Sequence, residues 1–155
     1  MSTSIIYSTV TGNTKLLAER IQAKLGQDIY CGKPTEEALA SDTLYIGFWS
    51  MKFACSPDIQ KILEGLEGKK IFLFGSGGFG VGAEFGETVL NNVKAFIKPS
   101  NEIIGTFFCQ GEVSEAKKKA LREMSEEIYQ TLLPAIEQAV KHPDEADFLA
   151  LEQVL

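Results

Sequence analysis

Histidine is nearly absent: His142 is the only one in 155 residues. A multi-histidine metal centre is excluded. A Ser-His-Asp triad would have to draw on "KHPDEAD", which reads as a helix start. Cysteine is scarce and odd in number. Cys31, Cys55 and Cys109 lie 24 and 54 residues apart with no C-x-x-C pair. That spacing fits neither a disulfide framework nor an iron–sulfur or zinc site, and it suits reduced thiols used as small apolar residues. No apolar run approaches the roughly 20 residues of a membrane span. The N-terminal "MSTSIIYSTV" has no basic stretch ahead of its short apolar run. A cytoplasmic protein with no membrane partner is the expectation. Positive charge is short as well, with 15 Lys and Arg against 21 Asp and Glu and a net charge of −6. This argues against nucleic acid as a partner.

What is present suffices for one domain. The chain is 45% hydrophobic and 10% aromatic, enough to fill a single core and too short for two. The acid is unevenly placed. Residues 1–70 carry eight basic and eight acidic side chains, and residues 71–155 carry seven and thirteen. The excess reads either as solvated helix faces or as a surface that steers a basic partner.

Short apolar runs alternate with helical periodicity. "SIIYS" (4–8), a weak "DIYC" (28–31), "TLYIGFW" (43–49), "KKIFLFG" (69–75) and "EIIGTFFCQG" (102–111) predict five strands. "TKLLAERIQAKLG" predicts a first helix, with Leu17, Ile21 and Leu25 on one face and Gly26 as its stop. "TEEALASD" (35–42) is a loop or one helical turn. "SPDIQKILEGLEG" (56–68) opens with Ser56 as N-cap and Pro57 at the first position. Further helices are predicted at 87–98 and, as one long amphipathic element, at 113–136. A short helix restarts near Pro143 with Phe148, Leu151 and Leu155 on one side.

Strands that are apolar throughout, separated by helices, predict an α/β fold: a five-stranded parallel doubly wound sheet of order 2-1-3-4-5, with helices on both faces. Such a sheet binds ligands beyond the carboxyl ends of its strands, where the strand order reverses between strands 1 and 3. Three loops lie there. The first is Thr9-Val10-Thr11-Gly12-Asn13-Thr14. Hydroxyls, an amide and a glycine at a helix start exceed what a single N-cap requires. They suit a phosphate cradle, in which unpaired backbone N–H groups and hydroxyls close around the anion. The lysine and magnesium ligand of a G-x-x-x-x-G-K-[ST] loop are missing, which argues against nucleoside triphosphate hydrolysis. The second loop is Trp49-Ser50-Met51-Lys52-Phe53-Ala54-Cys55. The third runs from Gly75 through Ser76, Gly77, Gly78, Phe79 and Gly80 to Gly82. It contains G-x-G-x-x-G but follows the fourth strand and lacks a suitably placed acid, so a dinucleotide fingerprint is rejected.

"YSTVTGNT" at the end of a first strand resembles the T-x-T-G-x-T phosphate loop of the flavodoxin family, matched at Thr9, Thr11, Gly12 and Thr14. Element order and length are also similar to short-chain flavodoxins over about residues 3–135. The resemblance implies FMN as cofactor, with its phosphate held by residues 9–14. It places Trp49, Ser50, Met51, Lys52 and Phe53 along the ring system, with Trp49 or Met51 available to stack. Ser76, Gly77, Gly78, Phe79 and Gly80 would approach the ring edge through their backbone. Lys52, if it reached the N1 edge, would favour anionic reduced flavin. The chain departs from the family in having no glycine from Ser50 to Pro57, which predicts weaker support of half-reduced flavin. It also lacks the acid and tyrosine common in the third loop.

Residues 1–136 are thus read as an FMN-binding domain, and 137–155 as a helical tail packed on it. The expected function is an electron carrier that docks transiently on redox partner proteins, as a monomer or weak dimer. The alternative is an FMN-dependent NAD(P)H oxidoreductase of the same fold. A phosphoacceptor receiver domain is excluded, since Ser8-Thr9 and Trp49-Ser50 stand where it needs acids.

Overall fold

The computed structural model describes residues 2–10, 12–78 and 82–155, with side chains in the last stretch from Glu84 onward. Strands β1 (Thr3–Tyr7), β2 (Tyr30–Gly32), β3 (Thr43–Trp49), β4 (Lys70–Gly77) and β5 (Glu102–Gln110) form one sheet in the order β2-β1-β3-β4-β5. All described pairings are parallel. Helices α1 (Asn13–Leu25), α2 (Glu36–Leu39), α3 (Pro57–Gly65), α4 (Gly82–Lys94), α5 (Glu115–Met124), α6 (Glu126–Gln138) and α7 (Glu145–Gln153) complete the chain. The doubly wound order read from the sequence is the observed one.

Alternation along the central strands fills two cores. Ile6, Ile46, Ile71 and Leu73 meet Ile59 and Leu63 of α3 and Val89 and Val93 of α4 on one face. Ile5, Phe72 and Phe74 meet Leu17, Ala18 and Ile21 of α1 and Leu151 of α7 on the other. Each of these side chains is buried, and each contributes roughly 1.5–3 kcal/mol by leaving water. Arg20 of α1 pairs with Glu152 at 2.8 Å and Glu145 at 3.0 Å, and lies over the ring of Phe148. The segment beyond residue 136 therefore shares a core with the first helix.

Several elements depart from the expected boundaries; β4 runs through Gly77, so Ser76 and Gly77, expected in the third loop, are its last residues. The predicted helix 113–136 is two helices. Ser125 is extended (φ −165, ψ 112), and its hydroxyl accepts from the N–H of Ile128 at 3.2 Å, so it caps α6 rather than continuing α5. A serine followed by Glu126 and Glu127 is a helix-start signal that the continuous apolar stripe concealed. α5 and α6 close on a separate small core of Val113, Tyr129 and Ile136, with Leu121, Leu132 and Leu133 against it. Helix α4 begins at Gly82, five residues before the expected start, because Phe85 and Val89 already share a face. Gly82, read as the end of the glycine-rich loop, opens this helix.

Candidate functional site

The carboxyl ends of β1, β3, β4 and β5 surround a cleft of about 130 Å³. Thr9, Val10, Asn13 and Thr14 line it from the first loop, Trp49 and Ser50 from the second, and Ser76, Gly77 and Gly78 from the third. Its position is the strand-order reversal between β1 and β3. In this arrangement strand ends deliver their loops to one place, and helix starts point N–H groups into it.

The first loop is built to leave its helix start open. Gly12 caps α1 with φ +95, a left-handed conformation that a Cβ would strain. Among the described residues no side chain caps α1, and no acid stands in its first turn. By contrast Thr35, Ser114, Ser125 and Asp144 cap α2, α5, α6 and α7 through their side chains, and acids occupy all four first turns. The first intrahelical bond of α1 is Leu16 N–H to Gly12 O at 3.1 Å, so the preceding amides have no acceptor within the helix. Thr9 Oγ1 accepts from Gly12 N–H at 3.0 Å, which leaves its own proton to donate. Val10 is 72% exposed. These features fit a phosphate monoester: open N–H donors, a hydroxyl donor, a positive helix end and no competing carboxylate.

Thr14 is arranged otherwise. It is fully buried, its hydroxyl donates to Phe48 O at 3.2 Å, and it lies 3.3 Å from Ser76 Oγ. The side chain joins α1 to β3 and β4 beneath the cleft. Asn13 Nδ2 donates to Glu112 O at 3.1 Å, tying the first loop to the segment after β5. Thr11, Phe79 and Gly80 lie outside the described residues.

In the second loop the cleft receives Trp49 and Ser50 but not Met51, Lys52 or Phe53. Met51 and Ala54 exchange backbone hydrogen bonds of 2.9 and 3.3 Å around a tight turn. Lys52 and Phe53 occupy its centre with φ 51 and 62. Positive φ is thus reached without glycine, at a cost on the order of 1–2 kcal/mol per residue. Phe53 turns to Phe85, with ring centroids 5.9 Å apart, and its carbonyl accepts from Asn92 Nδ2 at 2.8 Å.

The third loop owes its shape to close approach. A Cβ on Gly78 would meet Val113 Cγ2 at 2.3 Å and Gly111 O at 2.7 Å. One on Gly111 would meet Asn13 Nδ2 at 2.6 Å. The wall these glycines admit is a fourth segment, Gly111, Glu112, Val113 and Ser114, joined by Lys117 of α5. The sequence reading missed it. Its signal was positional: residues 111–114 leave the carboxyl end of a strand adjacent to β4, the same end of the sheet as the other loops. Glu112 N–H donates to His142 O at 2.8 Å, so the turn before α7 supports this wall.

Two titratable groups at the start of α3 are set by local contacts. Asp58 opens α3, where partial burial pushes its carboxyl up. Hydrogen bonds from Ser56 and Ser8 and from the N–H of Ile59 outweigh that and hold it below the usual carboxylate range. Burial pushes the Cys55 thiol up to about 11, with Asp58 and Glu64 adding to the shift. Neither cysteine 55 nor 109 lines the cleft, and all three cysteines are free. Among the described residues, no helix is long and apolar enough to cross a membrane.

Fold and cleft together define a flavodoxin-like protein. The flavodoxin domain family model matches residues 4–155, and the chain belongs to that family. It is 30% identical over 159 residues to the flavodoxin-like domain-containing protein BilS of Clostridioides difficile, covering 95% of this chain and 90% of that one. It is 29% identical to BilS of Clostridium symbiosum, covering 100% of this chain and 94% of the relative. Among solved structures, a flavodoxin of Streptococcus pneumoniae TIGR4 superposes with a TM-score of 0.60 at 17% identity, over 99% of this chain and 94% of that one. A flavoprotein of Lactobacillus acidophilus, solved in complex with FMN, gives 0.53 at 13% identity, over 80% and 98%. Both structures share the fold.

Proposed function

We propose that the cleft binds FMN and that the protein carries electrons between redox partner proteins. The observation that carries this reading is the open start of α1, with Gly12 at φ +95, no first-turn acid and, among the described residues, no side-chain cap. Thr9, with its hydroxyl proton available, and the amides of Asn13 and Thr14 would hold the phosphate. Trp49 would offer its indole to the ring, and the close-packed Gly77 and Gly78 would let backbone approach the ring edge. Bound flavin supplies the exchange of one or two electrons, and the protein sets its access and charge environment. Asn13, fixed by Glu112, and Thr14, fixed by Phe48, hold the loop in its binding shape before the ligand arrives. The acidic excess, 21 against 15, supports transient docking of basic redox proteins.

Calorimetry with FMN, together with the absorption spectrum of the pure protein, tests this. Flavin absorbance, or saturable heat on adding FMN, is expected, with riboflavin binding far more weakly. Colourless protein that gives no heat with FMN would refute it. Rapid bleaching of the bound flavin by NAD(P)H alone would assign the protein to the reductases of this fold instead. Bleaching only on adding a separate reductase agrees with the carrier.

A further inference from the structure

A cation reaches the cleft from α5, a helix with no buried residue. Lys117 Nζ lies 5.5 Å from the centroid of the Trp49 ring, and both side chains line the cleft. The backbone beneath it is fixed, since Ser114 Oγ accepts from Lys117 N–H at 3.2 Å. A lysine in a first helical turn stands against the helix dipole. Of the described residues lining the cleft, only Lys117 and Glu112 carry charge. Both backbone polar groups of Glu112 are engaged, by His142 O and by Asn13 Nδ2. Lys52, the base singled out in the sequence, sits in a turn that does not line the cleft.

The ammonium therefore stands against the aromatic wall of the cleft. We propose that Lys117 is the counter-charge of the reduced flavin ring, an inference that rests on FMN occupying this site. The oxidised ring is neutral. A bound ring that accepted two electrons from a reduced redox protein and one proton would carry one negative charge, which the Lys117 ammonium would face. Lys117 is exposed, so water screens its attraction for that charge without removing it. Reduced FMN then binds more tightly than oxidised FMN, and by linkage the potential of the bound flavin is raised. Without ligand the ammonium lies 5.5 Å from the centroid of the Trp49 ring, within cation–π range.

The variants Lys117→Gln and Lys117→Arg test this, with thermal melts confirming that each folds. Dissociation constants for oxidised FMN and for riboflavin are measured by calorimetry, and the two-electron midpoint by titration against a reference dye. Lys117→Gln is expected to lower the affinity for reduced relative to oxidised FMN roughly tenfold, the range of a solvent-screened charge-assisted contact. That corresponds to a midpoint about 30 mV lower. Lys117→Arg is expected to hold the wild-type midpoint, and the difference between Gln and wild type to shrink with added salt. An unchanged midpoint in Lys117→Gln overturns the proposal. So does an equal loss of oxidised and reduced affinity that affects FMN but spares riboflavin, which would make Lys117 a phosphate ligand. Wild-type protein that binds no FMN fails the underlying reading. Wild-type protein that binds FMN while Lys117→Gln leaves the midpoint unmoved fails only the role of Lys117.

Discussion

The hydroxyl of Thr14 donates to the carbonyl of Phe48 across 3.2 Å, joining the first turn of α1 to the end of β3. The same threonine packs its methyl so close to the sheet that a Cβ on Gly47 would meet Thr14 Cγ2 at 2.8 Å. A residue of the T-x-T-G-x-T motif is thus buried as a structural tie. Thr14→Val keeps the shape and removes the donor, leaving the buried Phe48 carbonyl short of a partner. A loss of about 1–3 kcal/mol of stability is expected, read as a lower denaturant midpoint, with FMN affinity falling by less than about tenfold because the amides remain. The reverse result, unchanged stability with affinity largely abolished, would make the Thr14 hydroxyl a direct ligand.

The contrast between Thr14 and Thr9 shows how far the sequence could be read. Spacing placed both at the start of a helix beyond the first strand, and the structure places both at the strand-order reversal. Which hydroxyl faces outward depends on α1 lying against Gly47 and Ser76, contacts 33 and 62 residues away along the chain. The central strands were legible because they are apolar on both faces. The β5–α5 wall was not, because Gly111, Glu112 and Val113 carry no motif and gain meaning only from facing Gly78 and Asn13. The sequence singled out Lys52 as the cation, and nothing along the chain marked Lys117. The tight turn at 51–54 takes the first out of the cleft lining, and the Ser114 cap fixes the second beside it.

Gly78 tests whether the fourth wall shapes the site. Gly78→Ala would set a methyl 2.3 Å from Val113 Cγ2 and 2.7 Å from the Gly111 carbonyl. The second neighbour is backbone, so the strand ends must part. A destabilisation of about 1–3 kcal/mol is expected, with FMN affinity weakened at least about tenfold through displacement of the ring-edge backbone. Wild-type affinity in a folded Gly78→Ala protein would mean that the cleft does not use this approach.

Asp58 gives stability a pH dependence of definite sign. Its folded carboxyl titrates below the usual range because the hydrogen bonds from Ser56, Ser8 and Ile59 N–H outweigh partial burial. A depressed carboxylate contributes stability that is complete above its unfolded value, near about 4, and lost as pH falls through the folded value. Melting temperature is therefore expected to fall below about pH 4, and Asp58→Asn to reduce the drop in that window while lowering stability at neutral pH. A variant whose melting curve runs parallel to wild type down the acid limb would show that Asp58 carries none of this dependence.

The cysteines offer a readout that links stability to ligand. Burial, with Asp58 and Glu64 adding, pushes Cys55 up to about 11. Burial, with Asp147 and Asp144 adding, drives Cys109 higher still. Cys31 is raised by burial and by Glu19 against the opposing Lys15, but it is only half-buried. Thiolate is the reactive form, so alkylation of native protein at about pH 8 should reach Cys31 first. Cys55 and Cys109 should label only as the chain opens, at a rate set by the opening equilibrium when closing outpaces alkylation. A ligand that binds only the folded chain lowers that open population by the factor 1 + [L]/Kd. FMN at one hundred times its dissociation constant should therefore slow labelling of Cys55 and Cys109 by up to about 100-fold, followed by peptide mass spectrometry. Prompt labelling of Cys109 in native protein would show that its burial is incomplete. Labelling of both buried thiols that ignores saturating FMN would show that they become reactive through local openings that leave the cleft intact.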